Sequence, residues 1–167
     1  MKKLIIFGRS PFLNKIDLNI DYEQYDVCCI NYPIPGIRVH YLVSCDEWVK
    51  PVLAPKTEWI SENTGWDLHK TKEFITEEKH LSWCCYSSSA AVNFAILRGY
   101  KEIYLCGVDL IENNKPFDHY DGIMNKIVPR GLAKEKEYII ELCKKNNVKI
   151  YQTNPAADWL EYKRIWK

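Results

Sequence analysis

A histidine between carboxylates and aromatic rings is the feature of this sequence best suited to chemistry. The segment Phe117–Gly122 reads Phe-Asp-His-Tyr-Asp-Gly. An imidazole near neutral pH is the usual general base, and a neighbouring carboxylate can hold it in one tautomer. A loop position favours function, although most single loop histidines are merely exposed. His119 is therefore a candidate catalytic base, with Phe117 and Tyr120 as candidate ligand contacts.

A second segment, Ser87–Asp109, combines features of an anion site. Serines open an apolar helix, and a serine hydroxyl can cap the first backbone amides of such a helix. These amides and the positive end of the helix dipole attract anions. Gly99 suits the left-handed position that ends a helix, and a short apolar strand then leads to Asp109. The segment predicts a nucleotide or another phosphate-bearing ligand, with ordinary core packing as the alternative.

Strand and helix patterns alternate around these segments. This alternation predicts an α/β fold: a Rossmann-like, mostly parallel sheet flanked by helices on both faces, as a single domain over 1–167. The stronger strand predictions are Lys3–Phe7, Asp26–Ile30, Val39–Ser44, 102–106 and Val148–Gln152, and the weaker ones are Glu58–Ser61 and Glu73–Thr76. The helix predictions are Phe12–Ile16 with Ser10 as its cap, a short helix after Asp46, Ser88–Arg98, Leu132–Asn146 and Ala156–Arg164.

The loops at the carboxyl edge of such a sheet are where ligands gather. Their candidate ligand-binding residues are Gly8, Arg9, Ser10, Asn31, Asp46, Ser87, Ser88, Asp109, Phe117 and Tyr120. Arg9 is either a bidentate clamp for a phosphate or carboxylate, or a solvated surface residue. Asn31 can bind a base or a sugar, and Asp46 a sugar hydroxyl. The alternative is a turn residue for Asn31, a helix cap for Asp46 and a turn acceptor for Asp109. Neither a dinucleotide fingerprint nor a Walker sequence occurs in the chain.

The charge balance restricts the class of partner. The 23 basic and 22 acidic side chains nearly cancel, which argues against sequence-blind binding to nucleic acid. No apolar run reaches membrane-spanning length, and the apolar opening is short for a signal peptide. We therefore expect a cytoplasmic protein with no membrane span. A homo-oligomer is compatible with the sequence, and nothing in it demonstrates one.

The seven cysteines do not have the spacing of a metal site or a disulfide framework. Two adjacent pairs occur, Cys28-Cys29 and Cys84-Cys85, without any Cys-x-x-Cys motif. Adjacent residues of a strand point to opposite faces, so these pairs predict neither a zinc site nor a disulfide. The sequence predicts reduced, buried cysteines that act as small hydrophobes, with no metal and no cofactor.

Several motifs resemble those of the bacterial lipo-oligosaccharide sialyltransferases. Arg98–Asp109 is similar to the family's Leu-Gly-Tyr-Lys-Glu-Ile-Tyr-Leu-Ser-Gly-Ile-Asp segment, and 119–122 to its His-Tyr-Ile-Gly. Gly8 and Pro11 are similar to the family's opening motif. The resemblance implies a Rossmann-like fold that takes CMP-N-acetylneuraminate, with His119 as the base. It also implies that Asn31 contacts the nucleotide and that Ser87 caps the helix beside the donor.

The chain departs from the family pattern near the ligand. Arg9, Ser10 and Phe12 replace an Asn, a Gly and a Ser of the opening motif, and Ile111 replaces a phosphate-binding Tyr. Two functions follow. One is a metal-independent, inverting CMP-sugar glycosyltransferase; the alternative is a non-catalytic protein that binds or sequesters a nucleotide-derived small molecule, such as a signalling nucleotide.

Overall fold

The computed structural model describes residues 3–43, 84–113, 115, 119–122 and 128–166. Within them, five strands form one fully parallel sheet in the order β3-β2-β1-β4-β5. The strands are β1 (Lys3–Phe7), β2 (Tyr25–Ile30), β3 (Tyr41–Val43), β4 (Glu102–Cys106) and β5 (Lys149–Gln152). The predicted α/β, Rossmann-like class is confirmed. Because the strand order reverses between β1 and β4, a crevice is expected at their carboxyl ends.

Side chains of each strand alternate between the two faces of the sheet. Leu4 and Ile6 of β1 join one buried cluster, whereas Ile5 and Phe7 join another on the opposite face. All four are at most 1% exposed. Such two-sided burial explains why β1 and β4 are apolar throughout their centres, which made them predictable from the sequence.

Two α-helices pack on one face of the sheet. Helix α1 (Ser87–Leu97) and helix α2 (Leu132–Lys145) contribute Ala91, Phe94 and Ile139 to the same cluster as Leu4. A 3₁₀ helix at Pro11–Lys15 contributes Leu13 to the opposite cluster, where irregular segments supply most of the cover. Helices were predicted on both faces; within the described residues, the second face carries this 3₁₀ helix and no α-helix.

The prediction of a terminal helix over Ala156–Arg164 is wrong. That segment runs in irregular and extended backbone beside the end of β5. Gln152 explains the difference, because its N–H donates to the Glu161 carbonyl and its carbonyl accepts from the Lys163 N–H. Extended pairing thus satisfies backbone groups that a helix would have bonded internally. Trp166 still anchors the segment, with its ring 6.1 Å from that of Phe7.

Several predicted elements lie outside the described residues. These are the strands Glu58–Ser61 and Glu73–Thr76 and the short helix after Asp46. In the described part of the chain, no helix is long and apolar enough to cross a membrane.

Candidate functional site

The loops after β1 and β4 meet at the reversal of strand order. The Gly8 N–H donates to the Cys106 carbonyl at 2.8 Å, and the Ser10 N–H donates to the Gly107 carbonyl at 3.1 Å. A Cβ on Gly8 would stand 2.2 Å from the Gly107 oxygen. Only glycine fits this approach, so Gly8 allows the two strand exits to pack together. The group that approaches Gly8 closely is therefore the Gly107 carbonyl of the protein itself.

Asp109 is bound to the loop after β1. Its carboxylate accepts a hydrogen bond from the Ser10 hydroxyl, which in turn accepts from the Phe12 N–H at 3.1 Å. Burial raises the pKa of Asp109, and hydrogen bonds with Ser10 and Asn154 only partly offset this effect. The Trp159 indole donates to the Asp109 carbonyl at 2.9 Å. Ser10 and Asp109 are thus brought together, and Ser10 caps the 3₁₀ helix as predicted.

Arg9 connects three loops at the same edge of the sheet. Its guanidinium donates to the Asp121 carboxylate, and its central carbon lies 4.5 Å from the centroid of the Tyr32 ring. Its backbone carbonyl accepts from the Tyr120 N–H at 2.8 Å. The Arg9 side chain is only 12% exposed. Among the described residues, no acceptor faces its buried Nε–H. Arg9 is therefore part of the site framework and is not a solvated surface residue.

His119 begins a turn that packs against the loop after β1. The turn closes through the Gly122 N–H, which donates to the His119 carbonyl at 3.0 Å. The Asn14 side chain donates to the Tyr120 carbonyl at 3.0 Å. Nδ1 of His119 is buried, and the side chains of both His119 and Tyr120 are partly buried. These bonds place the candidate base beside Arg9, which is distant from it in sequence.

Glu135 of α2 occupies the amino-terminal end of α1. Its fully buried carboxylate accepts from the backbone N–H groups of Cys85 at 2.8 Å, Tyr86 at 3.2 Å and Ser89 at 2.8 Å. It also accepts from the Ser88 hydroxyl. The predicted serine cap is wrong, because the cap residue is Tyr86 and no side-chain cap bond forms. The amino-terminal end of α1 attracts an anion as expected, but that anion is the Glu135 carboxylate of the protein itself.

The remaining residues that were predicted to bind a ligand lie on other elements of the fold or outside the described residues. Asn31 follows β2 in a left-handed conformation, with φ of 64°, and its N–H donates to the Val43 carbonyl at 2.8 Å. Ser87 is buried in the first turn of α1. The first turn of α1 lies at the carboxyl edge, because a helix that connects parallel strands runs antiparallel to them. Asp46 and Phe117 lie outside the described residues.

Sequence reasoning missed three residues that shape this edge: Tyr32, Asp121 and Glu135. In the sequence, Asp121 is one of the carboxylates around His119, and no local feature marks Tyr32 as a site residue. Nothing in the neighbouring sequence distinguishes Glu135, since it is one of several acidic residues on a charged helix. Its partners lie 46 to 50 positions away along the chain. Only the packing of α2 against α1 brings them together.

A cavity of about 200 Å³ opens farther along, between the loop after β4 and the start of α2. Its lining residues are Glu112, Asn113, Pro129, Gly131 and Leu132. None of the residues predicted to bind a ligand is among them. The carboxyl ends of β1 and β4 remain the better candidate site, because the polar side chains converge there.

Comparison with known proteins relates the fold to a group of solved enzymes. No family model matches the chain, and no curated protein matches its sequence. Two structures of the sialyltransferase CstII of Campylobacter jejuni are similar: one in complex with the substrate analogue CMP-3FNeuAc (TM-score 0.62, 17% identity) and one with cytidine-5'-monophosphate (TM-score 0.51, 19% identity). A tyrosine-to-phenylalanine variant of the sialyltransferase Cst-II in complex with CMP has a TM-score of 0.58 at 16% identity.

These matches extend over nearly the whole chain. Each covers 97% of it, and between 85% and 86% of the solved chains. At such low identity the likeness concerns the fold, which is sialyltransferase-like.

Proposed function

We propose that the protein is a sialyltransferase-like enzyme that binds a CMP-sugar at the carboxyl edge of the sheet. The observation that carries the proposal is the turn of His119, held by backbone hydrogen bonding against Arg9 at the reversal of strand order. The solved structures with this fold contain CMP or a CMP-sugar analogue. Their ligands support a cytidine nucleotide here, and the sequence resemblance points to the same class.

The proposed reaction uses groups of this chain in stated roles. An acceptor hydroxyl oxygen attacks the anomeric carbon of the donor sugar and forms the new glycosidic bond. The bond from that carbon to the phosphate oxygen breaks, and CMP leaves with the electron pair. His119 takes the hydroxyl proton, at Nε2 because Nδ1 is buried. The guanidinium of Arg9 stabilises the charge on the departing phosphate.

The nucleotide must compete with groups already present. Arg9 pairs with Asp121, and Glu135 fills the amino-terminal end of α1. Asp121 lies on the surface and can be displaced, whereas Glu135 is fully buried and held by four donors. We therefore place the phosphate at Arg9 and assign the α1 terminus a structural role.

The deciding experiment measures binding and turnover separately. CMP and CMP-N-acetylneuraminate are titrated into the protein by calorimetry, and release of CMP from the sugar nucleotide is followed by chromatography. Saturable CMP binding with donor turnover is expected. Binding without turnover supports the non-catalytic alternative, and native mass spectrometry of protein purified from cells then identifies its bound nucleotide. Absence of both overturns the proposal.

A further inference from the structure

Cys84 and Cys85 form an accessible dithiol immediately before α1. Their Sγ atoms lie 3.4 Å apart, Cys85 is exposed and Cys84 is partly exposed. The other four cysteines of the described residues are buried. The expectation of buried cysteines is therefore wrong for this pair. That expectation assumed that adjacent cysteines lie in a strand and point to opposite faces. Here the two residues lie in a bend and their sulfurs face one another.

A carboxylate completes this cluster. One oxygen of Glu135 and the two Sγ atoms all lie within 4.8 Å of one another. Ligands about 2.3 Å from a tetrahedral ion stand about 3.8 Å apart. The observed separation of the sulfurs is thus within a small side-chain rotation of a chelating geometry. Glu135 is fixed from two sides, by the N–H groups of Cys85 and Ser89.

We propose that Cys84, Cys85 and Glu135 bind a thiophilic divalent cation of the Zn²⁺ class. Two thiolates and one carboxylate oxygen are a donor set that zinc accepts, and three protein ligands leave a fourth position for water. Binding releases two thiol protons to solvent and involves no change of oxidation state. The longest hydrogen bond to Glu135, from the Tyr86 N–H at 3.2 Å, is the one that the ion displaces.

The location has a structural consequence. Glu135 already holds the amino-terminal end of α1 through four donors. An ion at this point would link the segment before α1 to α2 and would stabilise the folded state, because the unfolded chain does not hold the three ligands together. The three proposed ligands are different residues from His119 and Arg9, so the cation site is tested independently of the proposed transferase activity.

The test uses the whole protein, reduced with a phosphine and titrated with Cd²⁺ as a spectroscopic probe. One equivalent is expected to produce the ultraviolet thiolate-to-cadmium charge-transfer band. Cys84→Ser and Cys85→Ser should each weaken binding by more than about a hundredfold, beyond the 10- to 100-fold loss that second-shell changes cause. Cys29→Ser, on the face of the sheet opposite to α1 and α2, is the control and should leave the affinity unchanged. A parent without the band, or an equal loss in the control, overturns the site.

The ligand atoms of the bound ion can be identified in the parent protein, without any substitution. The ¹¹³Cd resonance of the parent should fall in the range for two sulfur ligands with oxygen ligands, and a range for three or four sulfurs overturns the assignment of Glu135. Glu135→Gln should weaken binding, measured in samples shown by circular dichroism to be folded. Unchanged affinity in a folded Glu135→Gln variant contradicts the carboxylate ligand.

Discussion

The guanidinium of Arg9 donates to the carboxylate of Asp121, so a charged pair joins the loop after β1 to the turn of His119. Arg9 is largely buried, whereas Asp121 is the more exposed partner. An incoming phosphate would bind the same guanidinium. Asp121 therefore acts as an internal competitor for the site that we propose.

Asp121→Asn should tighten CMP binding. The variant removes the competing charge while an amide oxygen still faces Arg9. Because partly exposed ion pairs contribute up to about 1 kcal/mol, we expect the Kd to fall by up to about fivefold. Calorimetry at low salt measures it, and Asp17→Asn, an exposed carboxylate elsewhere, is the control. Weaker binding in Asp121→Asn would contradict a competing role.

Arg9→Ala should weaken CMP binding. Loss of a charge-assisted hydrogen bond to the phosphate costs about 1.5–3 kcal/mol. Arg38→Ala is the matched control, because Arg38 is exposed and its hydrogen bond to the Tyr22 hydroxyl comes from the backbone N–H, which the substitution keeps. Because Arg9 also stacks on Tyr32, the Arg9→Ala variant must first be shown to unfold at a midpoint comparable to that of the Arg38→Ala control. Equal affinity in the Arg9→Ala variant and the parent would remove Arg9 from the site.

His119→Ala should separate chemistry from binding. A base contacts the acceptor more than the donor, so the CMP affinity should be nearly unchanged. Turnover of CMP-N-acetylneuraminate should fall by about a hundredfold or more. His69→Ala, outside the described residues, serves as the control for loss of a histidine. Full turnover in His119→Ala would contradict the proposed base, whatever its effect on affinity.

Glu135→Gln should destabilise the fold. The amide would present an N–H₂ group to backbone donors that now face a carboxylate oxygen, and each buried donor left without an acceptor costs about 1–3 kcal/mol. We expect a loss of about 3 kcal/mol in the free energy of unfolding, measured in urea. Glu137→Gln, on the exposed side of α2, should change it by less than about 0.5 kcal/mol. Equal stability in both variants would mean that Glu135 does not hold α1.

The sequence was most informative where burial and backbone geometry act locally. The bounds of β1 and β4 were predicted to the residue, because both strands are buried on two faces. Gly99 ends α1 with a left-handed φ of 86°, as expected.

The sequence was least informative where distant charges meet. The serine pattern predicted an anion at α1, but it could not show that Glu135 supplies one from 46 positions away. A helix was likewise predicted at Ala156–Arg164, where backbone pairing with Gln152 prevails. Whether Asn31, Ser87 and Arg9 bind a nucleotide stays a prediction.

Asp109 should make stability depend on pH. Burial raises its folded pKa above the ordinary value of 3.8, so the folded state binds this proton more tightly than the unfolded state. By linkage, this contribution is complete below pH 3.8 and is lost as pH rises through the folded pKa of Asp109. Asp109→Asn cannot titrate, and its amide oxygen can still accept from Ser10. The variant should therefore lose less stability over this window than the parent.

Urea unfolding at a series of pH values measures that slope. Asp158→Asn is the matched control, because it removes the same charge from an exposed position, and it should retain the slope of the parent. The comparison depends on differences in slope, so a constant cost of the Asp109→Asn change does not affect it. Parallel curves for the parent and Asp109→Asn would show that Asp109 titrates alike in the folded and unfolded chains. The hydrogen bonds with Ser10 and Asn154 would then offset the effect of burial completely, which contradicts the raised pKa of Asp109.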